Sequence, residues 1–133
     1  MTHPLTSAQN VRVFDAQVEL DQRRRPTSVA DLQRLRGRVS THLSRLEEAA
    51  LDDPSVAARV GGQLDRVLQT LLDSARQLNA EQRSVLRSAV EYFVMTDDEQ
   101  NDLAGPDGLA DDVAVAVAAC RALGRSDLIA GLR

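Results

Sequence analysis

The sequence of 133 residues predicts an all-α protein, a single-domain helical bundle of four to six helices with a long antiparallel helical hairpin. Three observations carry this expectation. Apolar residues recur at spacings of three and four along most of the chain, the period of one helix face. The aromatic residues are only Phe14, Tyr92 and Phe93, so the core must come from Leu, Val and Ala, the composition of packed helices. Cap and stop residues stand at the ends of the apolar stripes.

The N-terminal part, residues 1–27, reads as a helix from about Ala8 to Arg24 followed by a linker. Val11, Val13, Phe14, Val18 and Leu20 supply its apolar positions. Arg23, Arg24 and Arg25 stand before Pro26 and read as a solvated helix end. Residues 28–78 form the hairpin. Ser28 is suited to cap its first helix, with Asp31 at the third position beyond it. The stripe Leu32, Leu35, Val39, Leu43, Leu46, Ala50 follows, and Asp52-Asp53-Pro54 ends it. Asp53 and Pro54 also open the second helix, because Pro at the first helical position sacrifices no hydrogen bond. Its stripe is Val60, Leu64, Val67, Leu71, Ala75, Leu78. Each helix then has a length of about 36 Å, and a connection this short makes them antiparallel neighbours. Gly61 and Gly62 cost the second helix about 1 kcal/mol each relative to Ala and leave room for close approach of another helix.

Residues 79–133 begin with a third long helix. Asn79 and Gln82 make its capping pair, and Val85, Leu86, Ala89, Val90, Phe93 and Val94 its apolar face. Gly105-Pro106-Asp107-Gly108 is a turn by composition. A further helix runs from about Leu109 to Leu123, with Gly124 as its stop and Ser126 capping a final short turn. The run from Val113 to Cys120 alternates Val and Ala. A helix buried on most sides is the better reading of it, since Ala favours helix and no partner strand is apparent.

Several function classes are excluded or disfavoured. All sixteen basic residues are Arg, which removes Lys-dependent chemistry such as Schiff bases and the phosphate-binding P-loop. One cysteine, Cys120, forbids an internal disulfide and a Cys-based zinc site, and its apolar helix points to a buried, inert thiol. His3 lies near the N-terminus, and His42 lies beside the hairpin stripe as a partly buried core histidine. A net charge of −4 disfavours nucleic acid as partner. The apolar run 113–120 is far short of the roughly 20 residues of a transmembrane segment, and the N-terminus lacks a secretory signal. A cytoplasmic location is expected.

The chemistry-bearing feature is acidic. Residues 97–112 hold seven carboxylates, Asp97, Asp98, Glu99, Asp102, Asp107, Asp111 and Asp112, and no basic residue. Part of this density suits helix starts. Thr96 or Asp97 can cap a short helix through Leu103, Asp107 can cap the next, and Asp111 and Asp112 then sit in its first turn, where carboxylates complement the macrodipole. Asp98 and Asp102 are four apart and share a face of any helix there. With Asp111 and Asp112 they could form a site for Ca2+ or Mg2+, which take oxygen ligands. The spacing is not that of an EF-hand. The same carboxylates could act as acid and base in a hydrolase, although no nucleophile or oxyanion donor is recognisable beside them.

The stretch Ser88 to Leu123 resembles the YkvA-like family of small bacterial helical domains of unknown function. Members carry a Tyr ending an apolar helix, then Pro-x-Asp, Pro-Asp, a Gly and an Asp-Asp pair opening an apolar helix. Tyr92, Asp98, Asp102, Gly108 and the pair Asp111 and Asp112 fall in that spacing without a gap. Thr96 and Asn101 replace the two prolines, and Glu99 and Gln100 replace apolar residues. The resemblance implies a small helical domain with four signature aspartates, and no particular activity.

The expectation is therefore a non-enzymatic protein-interaction module or small adaptor subunit of a cytoplasmic complex. Asp97, Glu99 and Asp107 would contact a protein partner with a basic patch, and homodimerisation stays open. A divalent-cation-binding domain using Asp98, Asp102, Asp111 and Asp112 is the alternative, and a carboxylate-dependent hydrolase the second alternative.

Overall fold

The computed structural model describes residues 15–53, 58–95 and 109–132, and the regular structure among them is all helical. Five α-helices follow in order: α1 (Ala16–Gln22), α2 (Val29–Asp52), α3 (Ala58–Asp73), α4 (Ala80–Met95) and α5 (Ala110–Ala122). A 3₁₀ turn, Ala75–Gln77, separates α3 from α4, and a 3₁₀ segment, Ser126–Leu132, follows α5.

The helix ends are set by local chemistry. At Ser28 the backbone is extended, and its hydroxyl accepts the Asp31 N–H at 3.0 Å while the Asp31 carboxylate accepts the Ser28 N–H at 3.1 Å. This reciprocal box satisfies two donors that the first turn leaves orphaned. The backbone hydrogen bond from Ser28 holds the Asp31 carboxyl below its usual pKa. Its contribution is thus present above the ordinary carboxylate pKa and lost as pH falls through the lowered one. Asn79 and Gln82 form the same box at α4, with bonds of 2.8 and 2.9 Å. At the end of α5, Gly124 adopts φ +71°, its N–H bonds the Arg121 carbonyl, and the Arg125 N–H bonds the Cys120 carbonyl. That is a complete Schellman closure, which needs a left-handed residue at the glycine position.

The helix that ends at Gln22 starts at Ala16, because Asp15 is extended and its carboxylate caps the N–H groups of Gln17 and Val18, and the expected start at about Ala8 lies outside the described residues. One boundary differs from the sequence expectation: the second hairpin helix ends at Asp73, well before Leu78. There the backbone tightens, with Ser74 bonding back to the Leu71 carbonyl and Gln77 to that of Ser74. The apolar stripe persists through this change of helix type, since Ala75 stays fully buried. The expected start at Pro54, the short helix through Leu103 and the cap at Asp107 lie outside the described residues.

Helices α2 and α3 are antiparallel. Gln33 on α2 donates to the Leu72 carbonyl, Arg36 reaches Gln69 and Asp73, and further along α2 Leu46 approaches Gly61. As the number rises on one helix it falls on the other. A polar seam of Arg36, Ser40, Asp65, Gln69 and Asp73 runs along the hairpin beside its apolar face. The hairpin does not project as an arm. Helix α4 packs on α2, α5 packs on α3 and α4, and the C-terminal 3₁₀ segment packs on α3 and α5. Leu32, Val39, Leu46, Leu64, Leu68, Leu71, Leu72, Leu86, Val90 and Phe93 are buried in one shared core. Leu43, expected on the buried stripe, is half-buried.

Gly61 is the point of closest approach. A Cβ there would lie 2.7 Å from Leu46 Cδ1, 3.5 Å from Leu43 Cδ1 and 3.7 Å from Leu109 Cδ1. A Cβ on neighbouring Gly62 would meet nothing within 4 Å. The two glycines thus differ in kind. Gly62→Ala should raise stability by about 0.5–1 kcal/mol through helix propensity alone. Gly61→Ala should lower it by about 1 kcal/mol, because the buried Leu46 must give way. Urea unfolding midpoints measure both, and equal shifts for the two variants would show that Leu46 yields freely. Leu71→Asp should cost roughly 3 kcal/mol or more by placing a charge in the core. A Leu71→Asp melting temperature equal to the parent's would contradict this packing.

Candidate functional site

The acidic segment follows α4 and runs into the first turn of α5. Of its seven carboxylates, Asp97, Asp98, Glu99, Asp102 and Asp107 lie outside the described residues. Asp111 and Asp112 are the second and third residues of α5. Asp111 is exposed, whereas Asp112 is only 3% exposed. Successive residues of a helix stand about 100° apart, so the neighbouring carboxylates meet different surroundings. Both lie in the first turn, where the helix dipole favours negative charge. Leu109 occupies the cap position, with no side-chain cap bond, and is buried against the Gly61 approach. The far end of the acidic segment is therefore anchored against the second hairpin helix, α3, near its closest approach to α2. Among the described residues, no group of three or more His, Cys, Asp or Glu side chains could hold a metal ion.

The near end is anchored on α4. Phe93 and Val94 are buried, and the Phe93 ring meets the His42 imidazole edge-to-face, with centroids 4.6 Å apart. His42 is thereby a full core residue, more deeply buried than its position beside the stripe suggests. Tyr92, about 100° around the helix from Phe93, is half-buried, and the Arg23 guanidinium lies 4.9 Å from its ring centroid.

That arginine belongs to a network joining α1 and the α1–α2 linker to α4. Arg23 pairs with Glu19 at 2.8 Å. Arg24 donates to the Ser84 hydroxyl at 3.1 Å and pairs with Glu81 at 3.3 Å. Arg83 donates to the Thr27 carbonyl at 2.8 Å. Arg87 donates to the Thr27 hydroxyl at 3.3 Å and pairs with Glu91 at 3.0 Å. Ser88, fully buried, donates to the Leu20 carbonyl. The Arg23–Arg25 run is thus a corrected reading: Arg23 and Arg24 fasten one helix to another, and Arg25 is the exposed member. Sequence reasoning also missed Glu19, Thr27, Ser84, Ser88 and Glu91. The i,i+4 spacings of Glu19 with Arg23 and of Arg87 with Glu91 were the only local signal.

Cys120 is fully buried, and burial pushes its thiol pKa up, the environment of an inert sulfur. A shallow cleft of ≈ 290 Å³ between α3 and the C-terminal segment is lined by Gln63, Arg66, Val67, Thr70, Asp127 and Leu128. Its acid, Asp127, is committed to Arg125 by a bidentate pair at 3.1 Å, and that hydrogen bond holds its carboxyl below the usual range. No helix among the described residues is long and apolar enough to cross a membrane. Comparison with family models, with curated proteins and with solved structures finds no match to this chain.

The arginine network carries architecture, and its energetics can be isolated at Arg87 and Glu91. The Glu91 side chain is 9% exposed and that of Arg87 23%. Removing one partner of a buried pair costs roughly 3–5 kcal/mol, while replacing both by apolar groups is often neutral. Arg87→Met should therefore destabilise at or below the low end of that range, since Arg87 keeps some solvent. Arg87→Met/Glu91→Leu should recover more than half of the loss. Chemical denaturation of the set tests this, and a double variant less stable than the single one would show that the pair itself stabilises the fold.

Proposed function

We propose that this protein is a non-enzymatic helical interaction module whose acidic segment, residues 97–112, contacts a basic patch on a protein partner. The observation that carries the reading is the density of charge: seven carboxylates and no cation in sixteen residues. The anchors on either side support it. Phe93 and Val94 end one helix in the core, and Leu109 and Asp112 start the next there. A segment pinned at both ends presents its charges with less ordering cost on binding. Polar groups buried elsewhere support it as well, because Thr27, Ser84 and Ser88 are engaged in holding α1 and its linker to α4, and Glu19 and Glu91 pair with arginines of their own helices. The resemblance to YkvA-like domains is part of the same proposal, and the polar Glu99, Gln100 and Asn101 set this chain apart at the surface where recognition would occur. A cytoplasmic adaptor role belongs to the proposal too.

Binding of this kind acts mainly through the on-rate and weakens with salt. Asp97→Ser/Glu99→Ser/Asp107→Ser should leave the melting temperature unchanged or slightly raised, because mutual repulsion falls. It should weaken capture of basic partners from lysate at low salt at least tenfold. Recovery of the same proteins at the same yield by parent and triple variant would sink the proposal. A chelator-reversible rise in melting temperature with millimolar Ca2+ or Mg2+, lost in Asp98→Asn/Asp112→Asn, would favour the cation-binding alternative instead.

A further inference from the structure

Helix α1 has only seven residues. A helix of that length is not stable alone in water, so it forms where it docks. Its dock is the face of α4 and α5. One large apolar side chain of α1, Leu20, is fully buried there, while Val18 is 44% exposed. Specificity comes from the polar register. The Leu20 carbonyl meets Ser88, Arg23 covers Tyr92, and Arg24 reaches Ser84 and Glu81. The connection to α2 runs from Arg24 to Ser28 without helical structure and contains Pro26. Proline fixes its own φ and biases the preceding residue to extended backbone, so this connection is a strut and not a folded turn.

We propose that α1 is an exchangeable latch, and that the α4–α5 groove accepts the α1 of a second copy of this chain. The occupant follows from the match itself. The groove recognises a leucine flanked by a carbonyl aimed at Ser88 and by arginines three and four residues on, placed over Tyr92 and beside Ser84. A second copy carries that set by identity. From Arg23 to Thr27 the strut spans at most about 14 Å, so exchange places the two-fold axis of the dimer beside the two linkers. The end of each linker next to α2 has a fixed anchor, since Thr27 is held by Arg83 and Arg87 of α4. In one chain the latch competes at an effective concentration in the millimolar range. The intact protein is then a monomer at micromolar concentration, and exchange emerges as concentration rises or as the cis latch is weakened. This inference is independent of the acidic segment.

Complementation between full-length variants tests it. Leu20→Asp disables the latch and leaves the groove intact. Ser88→Arg blocks the groove and leaves the latch intact. Each alone should sediment as a monomer, and an equimolar mixture should form a 1:1 heterodimer, which native mass spectrometry identifies by its mass. A mixture that stays monomeric, with both variants helical and melting cooperatively, overturns the proposal. Should either variant fail to fold, a fluorescent peptide of residues 13–27 replaces it. The peptide should bind full-length Leu20→Ala at least tenfold more tightly than the parent, whose own latch competes. Equal affinity for the two, or no binding to folded Leu20→Ala, overturns it equally.

Discussion

The close approach at Gly61 is the constraint on which the remaining packing rests. With three aromatic residues in the chain, the core must be filled by leucine, valine and alanine. Such side chains fill a core to native density only when helix axes come near one another. Gly61 provides that nearness, and the end of Leu46 occupies the space its missing side chain leaves. Leu43 and Leu109 border the same point, so α2, α3 and the start of α5 meet at one glycine. The position of α5, and with it the end of the acidic segment, is thereby fixed by the hairpin. The cost of a glycine within a helix, about 1 kcal/mol, is offset by the dispersion contacts that three leucines gain there.

The second organising element is polar. An arginine-only set of cations suits it, because the guanidinium can bond a carboxylate, a hydroxyl and a carbonyl and also lie over a ring. Arg23 and Arg87 do this at two heights of α4, and Arg36 does it on the outside of the hairpin. The Arg23 and Arg87 pairs are partly buried, where charge attraction is balanced by the loss of hydration. Their greater effect is on register. Leu20 alone would let α1 slide along its groove. The bonds from Ser88 and Arg24 give it one position.

What could be read in the sequence was what depends on near neighbours in the chain. The capping boxes at Ser28 and Asn79 and the glycine closure at Gly124 each involve residues within about five positions, and all three stand in the structure. The stripe of α2 was legible for the same reason. The end of α3 was not, because a 3₁₀ turn keeps Ala75 in the core while changing helix type, and periodicity alone cannot register that change. The cap at Asp15 was not legible because it stands in the middle of an apolar run. Of the candidate site, the local charge density was legible, whereas the opposite environments of Asp111 and Asp112 depend on how α5 lies against its neighbours. The role of Arg23 and Arg24 was hidden altogether, since Tyr92 and Ser84 are some sixty or more positions away.

The acidic segment can be weighed against the same physics. Helix starts account for part of its charge: Asp111 and Asp112 lie in the first turn of α5, where a carboxylate gains about 0.3–1 kcal/mol. The other five carboxylates crowd a region with no basic residue in sequence, at a cost in self-repulsion that screening by salt reduces. Elsewhere, among the described residues, Arg23, Arg24, Arg34, Arg36, Arg87 and Arg125 each stand beside a carboxylate. Against that pattern, a block of acids without interleaved cations is a departure. A cationic partner would gain twice from it, through direct attraction and through relief of repulsion among the acids. Such binding should be steeper in salt than any single ion pair, and it should leave the helical core unmoved.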